Sequence, residues 1–413
     1  MRKLPLLYLA LLCLLCTNCE KEVSIVEPII DAKLTAFTDS LTTLFDASTL
    51  TGMTVAVVKN GAVNVQKSFG QANVVKDIPY TNQTNQPIGS VSKTFIGLAL
   101  MKAIEEGHFT LETNINDILP FDIHNPNTPD QPIQVKHLVT HSAGLEDSEE
   151  TYELQYFIKE GANVLLPASQ VILEFGAELG NGHPLGDYLA AVYTPDGPLY
   201  DEDTFLEEGP GKVYEYSNIG ASLAAYLIEV KTGQSFSDYV NATIFTPLEM
   251  DNTGYDRSQL EEDQLATLYI SKEYELPEYS HSSYPDGFVN TSNEALTKYL
   301  LEMLKGANGN GTLLSKESYQ TLFTQQSPDT MEDGEIHAVF WDLTSDGRIE
   351  HNGSDPGVVA ILSLDPMTNS GYVMMANMGG GGLGVALGVD DFVGIKAFFE
   401  MSNYVETYEK DEL

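Results

Sequence analysis

The stretch PIGSVSKTF, residues 87–95, decides how the rest of the chain is interpreted. It places Ser90, Ser92 and Lys93 just after Gly89, where an apolar pattern with helical spacing begins. On a helix, Ser90 and Lys93 lie three residues apart and therefore share one face. The stretch is either an ordinary polar first turn or a nucleophile with its activating amine.

The second interpretation depends on the chemistry of Ser90 and Lys93. A serine hydroxyl is a weak nucleophile until a base takes its proton, and a lysine in a partly buried site can have its pKa lowered enough to assist. The helix N-terminus adds the positive end of its dipole, and the backbone N–H of Ser90 can point at a developing oxyanion. The S-x-x-K spacing alone is weak evidence, because it arises by chance in many chains of this length.

Two later motifs supply the groups that such a serine would need. VYEYSNIG places Tyr216 and Asn218 at the start of a second strong helix. A phenol beside an ammonium ion is a plausible general base, and an amide can orient the lysine or hold a substrate carbonyl. RIEHNGSDPG places His351, Gly353 and Ser354 on a late strand, where Gly353 allows close backbone approach and the Ser354 N–H offers a second oxyanion donor.

Several other motifs have simpler explanations. Lys231–Gly233 reads K-T-G but closes the second helix, so Gly233 is interpreted as a helix C-cap. GGGGLG, residues 379–384, leaves too little chain for a dinucleotide-binding unit. His137 and His141 in HLVTH lack the glutamate of a zinc-protease motif, so we expect capping or buried histidines. No G-x-S-x-G nucleophile elbow occurs.

The order of the elements predicts an α/β protein of the α+β type. A helix is expected over residues 32–46, and a hairpin is expected at Asn60–Gly61, followed by the helix after Ser90. Four late segments, IHAVFWDL, RIEHNG, GVVAILSLD and GYVMMANM, are predicted as strands before a closing helix. Strands at both ends with helices between them indicate one sheet built from distant segments, with an inserted, mostly helical subdomain at about 108–280.

The order S-x-x-K, Y-x-N and H-x-G resembles the serine β-lactamase and penicillin-binding-protein family, in particular its class C-related branch. Segments such as VKHLVTHSAGL, PGKVYEYSNIGASLAAYLIE and IFTPLEMDNTGY extend the resemblance over roughly residues 35–400. Residues 149–205 do not share it and are interpreted as a family-variable insertion. The resemblance implies a mainly antiparallel sheet flanked by helices, within a hydrolase domain at 32–400 that is followed by a polar tail at 401–413.

By this resemblance, Ser90 is the acylated nucleophile, Lys93 its partner and Tyr216 the base. Asn218 positions the substrate, and residues 351–354, including His351, Gly353 and Ser354, form the wall and oxyanion strand. Ser92 is expected to shape the turn. Class C β-lactamases carry a lysine where this chain has His351, and histidine is more similar to the peptidase, amidase and esterase members.

Composition narrows the possible partners. The net charge of −39 comes from 60 acidic and 21 basic residues, and such a surface repels nucleic-acid phosphates. We therefore expect no nucleic-acid partner, and we interpret the acidity as a solubilising surface. All three cysteines lie in the first nineteen residues, which excludes a disulfide scaffold, a cysteine nucleophile or a thiolate metal site in the body. No metal, no cofactor and no particular oligomeric state are indicated.

Both ends of the chain carry possible address signals. Residues 1–19 have a basic start and a short apolar run, as in a secretory signal, and CTNCEKE resembles a bacterial lipoprotein cleavage site with Cys19 as the lipidated residue. A tether follows at 20–31. The chain ends in KDEL, which would indicate the endoplasmic reticulum lumen. A glycosylation sequon at Asn352 would obstruct the expected site, so we interpret KDEL as coincidence and expect a cell-envelope protein, lipid-anchored or periplasmic.

The sequence therefore supports two hypotheses. The first is a serine hydrolase that forms an acyl-enzyme on a D-amino-acid peptide, an amide, an ester or a β-lactam. The second is a non-catalytic envelope receptor for peptidoglycan-like or lactam ligands. The presence of Lys93 and Tyr216 together with Ser90 favours the enzyme, because a receptor does not need to retain both.

Overall fold

A seven-stranded antiparallel sheet forms the centre of the structure. The computed structural model describes residues 32–148, 151, 154–327, 336–380, 382–390 and 392–411. The strands are β1 Gly52–Lys59, β2 Ala62–Asn73, β3 Ile78–Pro79, β4 Asn85–Pro87, β5 Tyr156–Lys159, β6 Glu178–Gly180, β7 Tyr269–Ser271, β8 Tyr274–Glu275, β9 Tyr279–His281, β10 Asn290–Ser292, β11 Asp342–Leu343, β12 Ile349–Asp355, β13 Val358–Asp365 and β14 Ser370–Ala376. The sheet order β11-β12-β13-β14-β1-β2-β3 joins the two ends of the chain, which confirms the predicted architecture.

Helices pack on this sheet and make up much of the region inserted between its halves. They are α1 Ala32–Asp46, α2 Ser92–Glu105, α3 Val135–Val139, α4 Pro167–Glu174, α5 Leu185–Tyr193, α6 Asn218–Thr232, α7 Phe236–Val240, α8 Asn293–Ala307, α9 Lys316–Phe323, α10 Leu383–Leu387 and α11 Phe392–Glu409. Among the described residues, none of these helices is both long and apolar enough to cross a membrane. The signal peptide, the tether and Cys19 lie outside the described residues.

The alternation of side chains along β1 shows why both faces need a cover. Val55 and Val57 belong to the core under α1 and α11, whereas Ala56 and Val58 belong to the larger core that includes α2 and α8. Successive side chains on a strand point to opposite faces, so a strand that is apolar throughout needs a helical layer on each side. The sheet is therefore the middle layer of a three-layer structure.

The hairpin between β1 and β2 forms where the sequence predicts it. Lys59 pairs with Ala62, and the two residues between them, Asn60 and Gly61, have φ of 53° and 72°. Two-residue hairpin turns of type I′ need positive φ at both positions, which Asn and Gly tolerate best. The helices predicted at 32–46, after Ser90 and after Ser217 are confirmed as well.

Two sequence predictions are wrong in detail. The segment predicted as a strand at 336–343 is a turn for most of its length, because Phe340 has φ of 54° and the Ala338 N–H bonds to the Trp341 carbonyl oxygen. Only Asp342–Leu343 pairs with the sheet. The expected polar tail after residue 400 is helical to Glu409, since Met401 and Val405 are buried against the sheet.

The region between the two halves of the sheet is mostly helical but also contains strands. Tyr156–Lys159 pairs in parallel with Glu178–Gly180 and antiparallel with Tyr279–His281. The segment at 149–205, interpreted from sequence as an insertion, thus contributes two strands to a small separate sheet. This sheet brings the insertion next to the end of β12, where the Tyr156 hydroxyl meets Asp355.

Candidate active site

Ser90 and Lys93 meet at the start of α2, as their spacing predicts. Ser90 lies in a 3₁₀ turn, Gly89–Val91, that leads directly into the helix. The fully buried Lys93 places its Nζ 3.1 Å from Ser90 Oγ, 2.7 Å from Asn218 Oδ1 and 3.0 Å from the Asp286 carbonyl oxygen. A lysine ammonium has three protons to donate, and these three acceptors use all of them. The amine is thereby fixed beside the serine hydroxyl.

Asn218 reaches Lys93 because the N-terminus of α6 is anchored by a carboxylate. Asp147 accepts hydrogen bonds from Ser217 Oγ at 2.7 Å, from the Asn218 N–H at 2.6 Å and from the Ile219 N–H at 3.2 Å. Ser217 caps the helix by accepting from the Gly220 N–H. A carboxylate at a helix N-terminus satisfies N–H groups that lack partners within the helix and interacts well with the helix dipole. Asp147 therefore fixes the direction in which Asn218 points.

Tyr216 lies over the lysine, and a histidine supports it from behind. The centroid of its ring is 5.0 Å from Lys93 Nζ, and the ring stacks on His141 with centroids 4.4 Å apart. His141 Nδ1 accepts the Ser217 N–H, and its carbonyl oxygen accepts the Glu215 N–H. Burial holds the pKa of His141 well below its usual range, and the charge of Lys93 lowers it further. A neutral imidazole therefore braces the turn that carries Tyr216.

Two glycines let strand β12 touch the turn that carries Ser90. A Cβ on Gly353 would lie 2.1 Å from the Ile88 carbonyl oxygen, and one on Gly89 would lie 2.7 Å from the Ser354 nitrogen. Gly89 also has φ of 53°, a conformation that side chains rarely adopt. With no Cβ at either position, the backbone nitrogens of Ser90 and Ser354 lie on the two facing segments. Such a pair of N–H groups is what an oxyanion hole requires.

His351 follows the same face of β12 and is neutral. Its side chain is buried, and Nδ1 lies 2.7 Å from the Asn352 carbonyl oxygen, which can only accept a hydrogen bond. Nδ1 therefore carries the proton, and Nε2 is left as an acceptor. Burial lowers the pKa of His351, although the Asp342 carboxylate opposes part of that effect. The position does not supply a permanent positive charge.

The remaining sequence motifs have structural roles. Ser92 accepts a hydrogen bond from the Val289 N–H and so ties α2 to the segment before β10. His137 caps α3 by accepting the Gln134 N–H, and Gly233 ends α6 with φ of 71°. In the part of the chain that the structure describes, no cluster of three or more His, Cys, Asp or Glu side chains is arranged to hold a metal ion.

A model of the family described as Beta-lactamase matches residues 37–387. The chain belongs to this family. It is 25% identical over 336 residues to protein flp of Staphylococcus aureus (strain N315), which covers 79% of this chain and 59% of that protein. The chain thus spans about 59% of the length of this curated relative.

Solved structures share the fold at lower identity. An octameric penicillin-binding protein homologue from Pyrococcus abyssi superposes with a TM-score of 0.66 at 22% identity, covering 87% of this chain and 78% of that one. A D-amino acid amidase from Ochrobactrum anthropi SV3, complexed with L-phenylalanine amide, gives a TM-score of 0.65 at 17% identity, covering 92% and 99%. At these identities the likeness shows the fold alone.

Three residues of the site were not predicted from the sequence to belong to it, although His141 was expected to be a capping or buried histidine. Asp147 and His141 belong to the segment before the insertion, and Asp286 is needed for its backbone carbonyl group. All three act on residues at least seventy positions away or through the main chain. The sequence analysis singled out only VKHLVTHSAGL, which ends before Asp147, and nothing in it indicated which side chains would turn toward Tyr216.

Proposed function

We propose that this protein is a serine hydrolase that works through a Ser90 acyl-enzyme. The observation that carries the proposal is the position of Lys93 Nζ, which is bonded at once to Ser90 Oγ, Asn218 Oδ1 and the Asp286 carbonyl oxygen. A buried lysine fully committed to orienting one hydroxyl and one amide is unnecessary for binding alone. The ring of Tyr216 beside the same amine supports the assignment.

The proposed reaction proceeds in two half-reactions. Ser90 Oγ forms a bond to the substrate carbonyl carbon while the ionised oxygen of Tyr216, with the Lys93 ammonium beside it, takes the hydroxyl proton. The Ser90 and Ser354 N–H groups stabilise the oxyanion, and the leaving group departs with the proton from Tyr216. Water then attacks the acyl ester, gives a proton to the same base and releases the acid, and the proton returns to Ser90. We assign the base role to Tyr216 because the three Lys93 protons are already donated.

The proposed substrates are amides, D-amino-acid peptides or esters in preference to β-lactams. The carboxylate of a penicillin needs a cation, and His351 offers a neutral ring with an acceptor nitrogen instead. The structural likeness to a D-amino acid amidase points in the same direction. No cofactor enters this mechanism, and all the groups it uses are side chains and backbone N–H groups of this chain.

We also propose that the protein works in the bacterial cell envelope. The proposal rests on the exported character of residues 1–19 and on Cys19 as a lipid attachment point, with the membrane contacted through that anchor. The acidic surface supports the absence of a nucleic-acid partner. Metabolic labelling with a fatty-acid probe tests the anchor, since Cys19→Ser is expected to abolish incorporation.

Two measurements on the same proteins test the hydrolase. A fluorophosphonate probe is expected to label the wild-type protein and not the Ser90→Ala variant. A chromogenic ester is expected to be turned over by the wild type and not by that variant, while Ser92→Ala, the matched control, retains both activities. If the wild type is labelled but releases no product on any ester or amide, the receptor hypothesis replaces the enzyme. If no labelling occurs, the assignment of Ser90 is wrong.

A further inference from the structure

Asp355 lies on the same face of β12 as His351 and Gly353. Side chains two residues apart on a strand point to the same side, and these three positions are buried whereas Asn352 and Ser354 are exposed. Gly353 faces the turn that carries Ser90. Asp355 is therefore displaced from this contact by two residues along the strand, about 6.6 Å. His351 and Asp355 flank the point where β12 touches the turn carrying Ser90.

One oxygen of the Asp355 carboxyl group accepts a hydrogen bond, and the other has no hydrogen-bond partner among the described residues. The Tyr156 hydroxyl, from the insertion, donates to Oδ1 at 2.7 Å. Oδ2 is buried and has no hydrogen-bond partner among the described residues. The Tyr279 hydroxyl, which donates to the Pro356 carbonyl oxygen at 2.6 Å, is also close enough to the Asp355 carboxyl group to lower its pKa. Buried carboxyl oxygens are nearly always paired, so an unpaired one on the strand that faces the turn carrying Ser90 points to a donor from outside the protein.

The surroundings of Asp355 are short of positive charge. Asp286 is a second buried carboxyl group, bound by Ser222 Oγ at 2.9 Å. His281 lies 3.8 Å from Asp286, but burial lowers the pKa of His281 to about 3 and leaves it neutral. Within the described ranges, no lysine or arginine forms an ion pair with either carboxyl group, and Lys93 donates its protons elsewhere.

The acid–base state of Asp355 fits a group that awaits a cation. Burial raises its pKa to about 7, the Tyr156 hydrogen bond opposes this, and the Asp286 charge raises it again, while Tyr279 and Lys93 lower it. A cation placed against Oδ2 would favour the ionised form and strengthen a charge-assisted hydrogen bond. An uncharged donor would gain less.

We propose that the substrate carries a protonated amine close to its scissile carbonyl group, as in an α-amino ester or amide, and that Asp355 Oδ2 binds this ammonium group. Tyr156 holds the other oxygen and so aims the carboxylate, which makes Tyr156 a positioning residue. The inference rests on the proposed hydrolase function and narrows its substrate class. It also gives the insertion a role, because the insertion supplies the tyrosine.

The test compares matched substrates with and without the charge. The substrates are thiobenzyl esters of D- and L-alanine and their N-acetyl derivatives. A thiol reagent detects the thiol that hydrolysis releases, and the body of the protein after Cys19 has no cysteine that would react with it. For the preferred enantiomer, the wild type is expected to show a kcat/KM about tenfold or more higher for the free amine than for the N-acetyl ester. Asp355→Asn is expected to remove this preference while its N-acetyl turnover stays within about threefold of wild type.

Tyr156→Phe provides a second variant that retains the carboxyl group. It is expected to raise KM for the free-amine ester by about threefold to tenfold and to leave kcat and the N-acetyl ester nearly unchanged. Equal turnover of both esters by the wild type would overturn the proposal, as would an equal loss on both substrates in Asp355→Asn. In either case, fluorophosphonate labelling of Ser90 in the wild type shows that the hydrolase function still stands. Loss of that labelling identifies failure of the function itself.

Discussion

Replacing Asp355 by asparagine is expected to stabilise the protein at alkaline pH, although it removes the proposed contact with the substrate ammonium group. Burial raises the pKa of this carboxyl from 3.8 to about 7 in the folded protein. Between these values the native state holds a proton that the unfolded chain has lost, so the contribution of this group to stability falls as pH rises from about 4 to about 7. From pH 5 to pH 8 the wild type is expected to lose about 2–3 kcal/mol of unfolding free energy through this one group.

The variant lacks this titrating group, so its unfolding free energy should fall by about 2–3 kcal/mol less over the same interval. Asp286, whose pKa burial raises to about 6, remains in both proteins and contributes the same sign of pH dependence to each. The amide side chain introduced by Asp355→Asn retains an oxygen that can accept the Tyr156 proton, so the contact with β5 is preserved.

Urea unfolding at pH 5 and pH 8 measures this difference. Unfolding is monitored by the fluorescence of the single tryptophan, Trp341, which is buried in the folded protein. The exposed Asp130→Asn variant is the control and should follow the wild type at both pH values. Identical pH dependence of the wild type and Asp355→Asn would refute the claim that this carboxyl group carries an uncompensated burial cost. A larger loss in the variant than in the wild type would reverse its sign.

Three further changes probe the site. Gly353→Ala places a Cβ 2.1 Å from the Ile88 carbonyl oxygen and is expected to reduce the rate of fluorophosphonate labelling at least about 100-fold. The melting temperature of the variant is measured as well, to separate misfolding from misalignment. Asp147→Ala removes the carboxylate that accepts hydrogen bonds from the Ser217 hydroxyl and the Asn218 N–H. The unfolding free energy measured in urea titrations should fall by about 2–4 kcal/mol, and kcat for the chromogenic ester should fall as well. His351→Lys places a cation where a penicillin carboxylate is expected to bind. It should raise the rate of acylation by benzylpenicillin about tenfold in a stopped-flow assay. An unchanged rate would mean that the neutral imidazole does not account for poor β-lactam recognition.

Much of the fold could be predicted from local patterns. The Asn60-Gly61 turn, the helix after Ser90 and the C-cap at Gly233 each depend on residues within a few positions of one another. Such features are determined by backbone preference and helical spacing, which a single sequence displays directly. The segment at 336–341 looked equally local, but its apolar residues are buried in a turn, and burial alone does not distinguish a strand from a packed loop.

The site could be predicted only in part, because the contacts that hold its reactive side chains in place join segments far apart in the sequence. Ser90 and Lys93 were indicated by their spacing. The carboxylate that holds α6, the carbonyl group of Asp286 and the Tyr156–Asp355 hydrogen bond each depend on which loops the fold brings together. Asp355 stands two residues from a predicted site residue, yet only its buried, half-paired carboxyl group makes it a candidate for substrate recognition.

The sheet order also has a consequence for the timing of synthesis. β1 ends at Lys59, and its neighbour β14 begins at Ser370, so about 310 residues must be made before the two strands can pair. At ribosomal rates of about 5–20 residues per second, this delay is roughly 15–60 s. Throughout that period the apolar edge of the first hairpin has no partner, and Ser90 has no opposing backbone from Gly353. A chain cut off before β14 should therefore leave the first hairpin unpaired and should not react with acylating probes.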